Sequence, residues 1–181
     1  TYQFVNITER IIQPSSGIYV FGATSGIPVY EGTWTTTRFT TDLSDADQKY
    51  IIPNAGVDIS TLKVQVQTSV GDTTTATYTA ATSLVDITAT TQAYFIQETV
   101  DGEWEVYFGD GVVGKSLIDG NIVILKYVIT NGTNANGAVS FTADAGISGF
   151  ADITTTTMTA AAGGANAETI ESMKYNAPFS Y

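Results

Sequence analysis

Short segments that alternate apolar and polar side chains, each bounded by turn-forming residues, constrain this chain more than any other feature. Leu62-Lys63-Val64-Gln65-Val66-Gln67 puts Leu62, Val64 and Val66 on one side and Lys63, Gln65 and Gln67 on the other. A period of two marks a half-buried strand. Residues 103–108 repeat it, with Trp104, Val106 and Phe108 predicted inward. Residues 93–98 precede them, and Asp101-Gly102 between the two runs predicts a hairpin. Further strands are predicted at 19–21, 34–41, 49–52, 75–82, 122–129 and 138–142. Pro53-Asn54-Ala55-Gly56, Gly71-Asp72, Asp119-Gly120-Asn121 and Asn131-Gly132 supply turn chemistry between them. Thr accounts for 30 of 181 residues, and a β-branched polar side chain suits the wet face of a strand. The predicted fold is mainly β: an antiparallel sandwich or barrel-like domain with one short C-terminal helix.

The β-rich domain is predicted to span 1–143, with 1–29 a separate edge or the end of a preceding domain. Residues 144–181 form a Thr/Ala/Gly-rich connector that leads into a helix at 165–177. Asn166 is placed to cap that helix, Glu168 suits its first turn and Lys174 its last. Ile170, Met173 and Ala177 share a face at i, i+3 and i+7, the predicted interface with another surface. A helix this short needs such a partner. The chain opens on Thr1 and closes on Pro178-Phe179-Ser180-Tyr181, and so reads as a fragment of a longer protein.

Composition excludes much chemistry. With no Cys there is no disulfide, thiolate nucleophile or zinc knuckle, and with no His no Ser-His-Asp triad or HExxH site. The net charge is −11, and the seven basic residues, Arg10, Arg38, Lys49, Lys63, Lys115, Lys126 and Lys174, are scattered singly. That pattern argues against nucleic acid as a partner. No apolar run reaches the roughly 18 residues of a membrane span.

Four clusters are candidates for chemistry. Gly109-x-x-x-x-Gly114-Lys115-Ser116 fits the phosphate-loop pattern letter for letter. The pattern requires a following helix, whereas here a turn at Asp119-Gly120-Asn121 and a β-branched run follow. Asp42, Asp45 and Asp47 could offer oxygens to calcium, but lack the glycine and bidentate Glu of a calcium loop. Glu103 and Glu105 could pair as glycosidase carboxylates, yet sit on one strand face rather than across a cleft. Trp34 and Trp104 could form a sugar-stacking platform, the basis of an alternative reading as a carbohydrate-binding domain of a fibre or adhesin. No catalytic residue, cofactor site or metal site is assigned.

Tyr107-Phe108-Gly109-Asp110-Gly111-Val112-Val113-Gly114-Lys115, followed by Leu117 and Gly120-Asn121-Ile122-Val123, resembles the signature of baseplate J-like proteins, the wedge proteins of contractile-tailed bacteriophages. Gly163-Gly164-Ala165-Asn166-Ala167-Glu168 and Lys174-x-x-Ala177-Pro178 resemble the family's entry to, and exit from, a helix. Ile52-Pro53-Asn54 and Asp58-x-Ser60-Thr61-Leu62 resemble the large wedge subunit. The likeness covers about residues 30–181. It implies a structural virion protein of the tail baseplate, without enzymatic activity or cofactor. Its expected partners are copies of itself and neighbouring wedge subunits. Gly109, Asp110, Gly111 and Gly114 would then be a structural turn motif, with Gly109 and Gly111 at positive φ.

Overall fold

The computed structural model describes residues 1–9, 18–20, 26–146, 150–166, 168 and 170–176. The chain divides into two compact units, Thr33–Thr130 and a second built from Thr1–Gly32 with Asn131–Tyr181. The change of character expected near residue 143 falls inside the second.

The Thr33–Thr130 unit is a seven-stranded sheet. Its strands are β3 (Thr33–Thr40), β4 (Tyr50–Ile52), β5 (Val57–Gln67), β6 (Thr75–Ala80), β7 (Ala93–Glu98), β8 (Trp104–Phe108) and β9 (Ile122–Ile129), in the order β3-β9-β5-β6-β7-β8-β4. The alternating runs all became strands. The purely antiparallel arrangement needs one correction: β6 and β7 run parallel, with Thr79 opposite Ala93 and Ala80 opposite Tyr94. The 81–92 connection makes that possible, since a parallel pair requires a crossover.

β9 lies between β3 and β5, and its near-continuous apolar run is buried from Ile122 to Val128 except at Lys126. Val123, Leu125 and Tyr127 face the core with Val64, Val106 and Ile52, and all six are essentially buried. The sheet curls until its two edge strands are nearly closed into a barrel. The Tyr50 ring of β4 stands edge-on to Phe39 of β3 at 5.6 Å and to Phe108 at 5.5 Å. Its hydroxyl donates to Thr41 Oγ1, and Gln48 Nε2 donates to the Thr40 carbonyl, so the 41–49 loop draws the edges together.

β5 carries a bulge, where its register against β9 shifts between Asp58 and Lys63. Thr61 repairs it. Its hydroxyl accepts from the Val128 amide at 2.9 Å and donates to the Asp58 carbonyl at 2.6 Å. A side chain thus replaces the ladder bond that the extra residues break.

The second unit holds the two-residue strands β1 (Phe4–Val5) and β2 (Tyr30–Glu31), paired antiparallel, a 3-10 turn at Gly132–Ala135 and the helix α1 (Ile170–Asn176). The two helical pieces span only four and seven residues, so the fold is mainly β with almost no helix. The helix expected at 165–177 is much reduced, and residues 165, 166 and 168 lie outside it. Asn166 therefore does not cap it; its Oδ1 accepts from the Thr133 amide instead. The strands expected at 19–21 and 138–142 did not form: Tyr19, Val20 and 138–142 are irregular, and Phe21 lies outside the described residues. Residue 138 is still paired, because the Gly137 amide donates to Ala161 O and the Ala161 amide to Ala138 O.

Candidate functional site

Two features of the Thr33–Thr130 unit concentrate polar chemistry: the turn after β8 and the outer face of β3, β9 and β5.

The turn is built by Asp110. Its Oδ1 accepts from the amides of Val112 at 2.8 Å and Val113 at 2.9 Å, and Gly111 N closes the loop on Gly114 O at 3.0 Å. Those two amides, Val113 foremost, hold the Asp110 carboxyl below its usual range. Gly111 and Gly114 adopt φ of 88° and 86°. Gly109 does not, contrary to expectation; its constraint is space. A Cβ there would stand 2.3 Å from Gly114 C and 2.4 Å from the carbonyl oxygens of Gly114 and Val113. The turn is anchored outward by Gly114 N to Thr88 O and Lys115 N to Thr91 O. The amides of Val112 and Val113, which a phosphate loop would present to its ligand, are thus bonded to Asp110. No helix follows.

The other candidates disperse. Asp42 accepts from Ser44 Oγ and Ser44 N, which lower its pKa, and Asp45 accepts from Asp47 N. These carboxylates shape their own loop. Among the described residues no group of three acidic side chains is placed to hold a metal ion. Glu103 lies outside the strand, and Glu105 takes Gln97 Nε2 at 3.1 Å and approaches Lys49 at 4.0 Å. Trp104 packs on the core rather than presenting a platform.

Trp34 faces outward from β3, and its ring is occupied. Lys126 Nζ lies 4.8 Å from its centroid and Lys63 Nζ 5.2 Å. Arg38 stands on the same face and donates weakly to Gln67 Oε1 at 3.5 Å. Three of the seven basic residues, scattered in sequence, therefore converge on one sheet face. The expectation of isolated cations fails because strand register, not sequence distance, decides neighbours: Lys126 is opposite Thr36 on one side and Lys63 on the other. The alternation of 62–67 already put Lys63 outward, but only the pairing of β3, β9 and β5 shows the cluster.

The fold defines a mainly β, barrel-like domain whose conspicuous motifs hold its own turns. The family described as bacteriophage baseplate wedge protein gp6, third domain, matches residues 37–132, and the chain belongs to that family. The matched stretch nearly coincides with the compact unit Thr33–Thr130. The baseplate wedge protein gp6 of Enterobacteria phage T4 is 32% identical over 74 residues, which is 33% of this chain and 11% of that protein. The chain thus spans about a ninth of the length of that curated relative. No solved structure matches it. The likeness to baseplate wedge proteins read in the sequence is borne out over the matched region; the segment around 163–178 lies beyond it.

Proposed function

We propose that this chain is a structural piece of a phage tail baseplate wedge, resident in the virion and made in the bacterial host. In this reading it works through subunit contacts, with copies of itself and with neighbouring wedge subunits. It helps assemble the baseplate and is carried through its rearrangement when the tail contracts. It performs no catalysis and needs no cofactor, nucleic acid or membrane. The observation that carries the reading is the family match over residues 37–132, which falls on the compact barrel-like unit. The chemistry of the site agrees with it: Asp110, Gly111 and Gly114 serve a turn, and Asp42 and Asp45 a loop. Gly109, Asp110, Gly111 and Gly114 then act as a shaping element that fixes the connection into β9. Ile170 and Met173 fall within the span of α1, Ala177 lies outside the described residues, and the three remain the proposed contact with a neighbouring subunit.

Removing the segment 33–130 from the parent gene in an otherwise intact phage is the test. The expected result is particles lacking functional baseplates, rescued by the complete gene in trans. Normal infectious particles would overturn the proposal.

A further inference from the structure

We propose that Asn136 is a deamidation site that the folded chain holds shut, and that its conversion to aspartate opens the clip joining segments 132–138 and 161–166. The proposal is independent of the scaffold reading above. Of the eight Asn residues, Asn131 and Asn136 are followed by Gly. In such a pair the backbone amide of the glycine can attack the preceding side chain, because glycine brings no Cβ to obstruct the approach. Asn131 spends its amide on the Glu31 carboxylate, to which its N and Nδ2 donate at 2.8 and 2.6 Å. The clip belongs to Asn136.

The reaction needs only water. The Gly137 nitrogen loses its proton to solvent and bonds to Asn136 Cγ. The Cγ–Nδ2 bond breaks, and Nδ2 takes a proton from solvent and leaves as ammonia. Water then opens the five-membered imide at either carbonyl, leaving aspartate or its β-linked isomer.

In the fold each reacting group is engaged. Asn136 Nδ2 donates to the Gly164 carbonyl at 2.9 Å, and its Oδ1 accepts from the Gly164 amide at 3.0 Å. The attacking nitrogen, Gly137 N, donates to the Ala161 carbonyl at 2.7 Å, and the Ala161 amide returns a bond to Ala138 O at 2.8 Å. The Asn136 backbone is extended, with φ −58° and ψ 137°, close to polyproline II. That ψ turns the Gly137 nitrogen out of the plane of the ring that would have to close. The two segments are also pressed together: a Cβ on Gly164 would stand 2.3 Å from Gly132 O and 2.9 Å from Asn136 Oδ1. Ring closure therefore requires the local opening that amide exchange requires.

The product cannot rebuild the clip. Aspartate at 136 puts a carboxylate oxygen where Nδ2 donated, so two acceptors meet at the Gly164 carbonyl with no proton between them.

The test incubates the whole 181-residue chain in warm, mildly alkaline buffer, folded or unfolded in urea, and follows Asn136 by peptide mass spectrometry. Conversion should be at least about tenfold slower in the folded chain. Gly164→Ala, which drives a methyl into the clip, should speed conversion of Asn136 in the absence of urea. Asn136→Asp supplies the product directly. Its Gly137 and Ala161 amides should exchange at least about tenfold faster than in the parent, while those of Val123 and Leu125 in β9 are unchanged. Equal conversion of Asn136 with and without urea, no acceleration by Gly164→Ala, or parent-like exchange in Asn136→Asp would each overturn the proposal.

Discussion

At the residue scale, glycines that look alike in the sequence answer to different physics. Gly111 needs a left-handed backbone but has room, its nearest neighbour being Ser116 Oγ at 3.4 Å from an added Cβ. Gly109 needs no special φ but has no room. Gly111→Ala should therefore cost about 1 kcal/mol, the usual penalty for an L-residue in that region. Gly109→Ala should cost about 2–3 kcal/mol, because backbone must move away from the new methyl. Urea unfolding of both variants checks the order; equal or negligible losses would contradict the packed turn. Asp110 gives a pH prediction. Its folded pKa is lowered by the Val113 and Val112 amides, so its contribution is present above the unfolded value near 3.8 and lost as pH falls through the folded value. Asp110→Asn should lower the melting temperature at neutral pH and converge with the parent in acid, so that its fall below about pH 4 is flatter. An unchanged acid limb would show that these bonds carry no stability.

At the element scale, β5 and β8 were legible because alternation survives where one face is wet, and β9 because a short continuous apolar run bounded by turns reads as a buried strand. The runs at 62–67, 93–98 and 122–129 all fell within β5, β7 and β9, and β7 and β9 matched to the residue. The start of β5 at Val57 was not legible, because its first half enters through a bulge that breaks the period. The two-residue strands β1 and β2 carry too few side chains to show any period. The helix was overextended because Asn166 suits a cap by type, yet its amide carbonyl is used by Thr133. Thr61 is the element-level feature that no pattern announced: one Thr among 30, distinguished only by facing an orphaned amide. Thr61→Val keeps the shape and leaves the buried Val128 N–H without a partner. It should cost about 1–3 kcal/mol, with Thr61→Ser close to the parent. Chemical denaturation of the pair measures this, and a Val variant as stable as the Ser variant would refute the role given to the hydroxyl.

At the scale of the molecule, the turn signature and the family match point to the same stretch, and the barrel-like unit gives it a physical boundary. The turn motif was legible because Asp and Gly announce backbone demands. The basic face was not, since Arg38, Lys63 and Lys126 meet only through strand register. The central claim is that this chain is part of a baseplate wedge in the assembled particle. Immunogold electron microscopy of purified, uncontracted virions of the encoding phage tests it most directly, with antibody raised against the Thr33–Thr130 unit. Label is predicted on the baseplate, at the end of the tail away from the head. Label confined to head, sheath or fibres, or no label on particles whose baseplates are intact and accessible, would contradict the account.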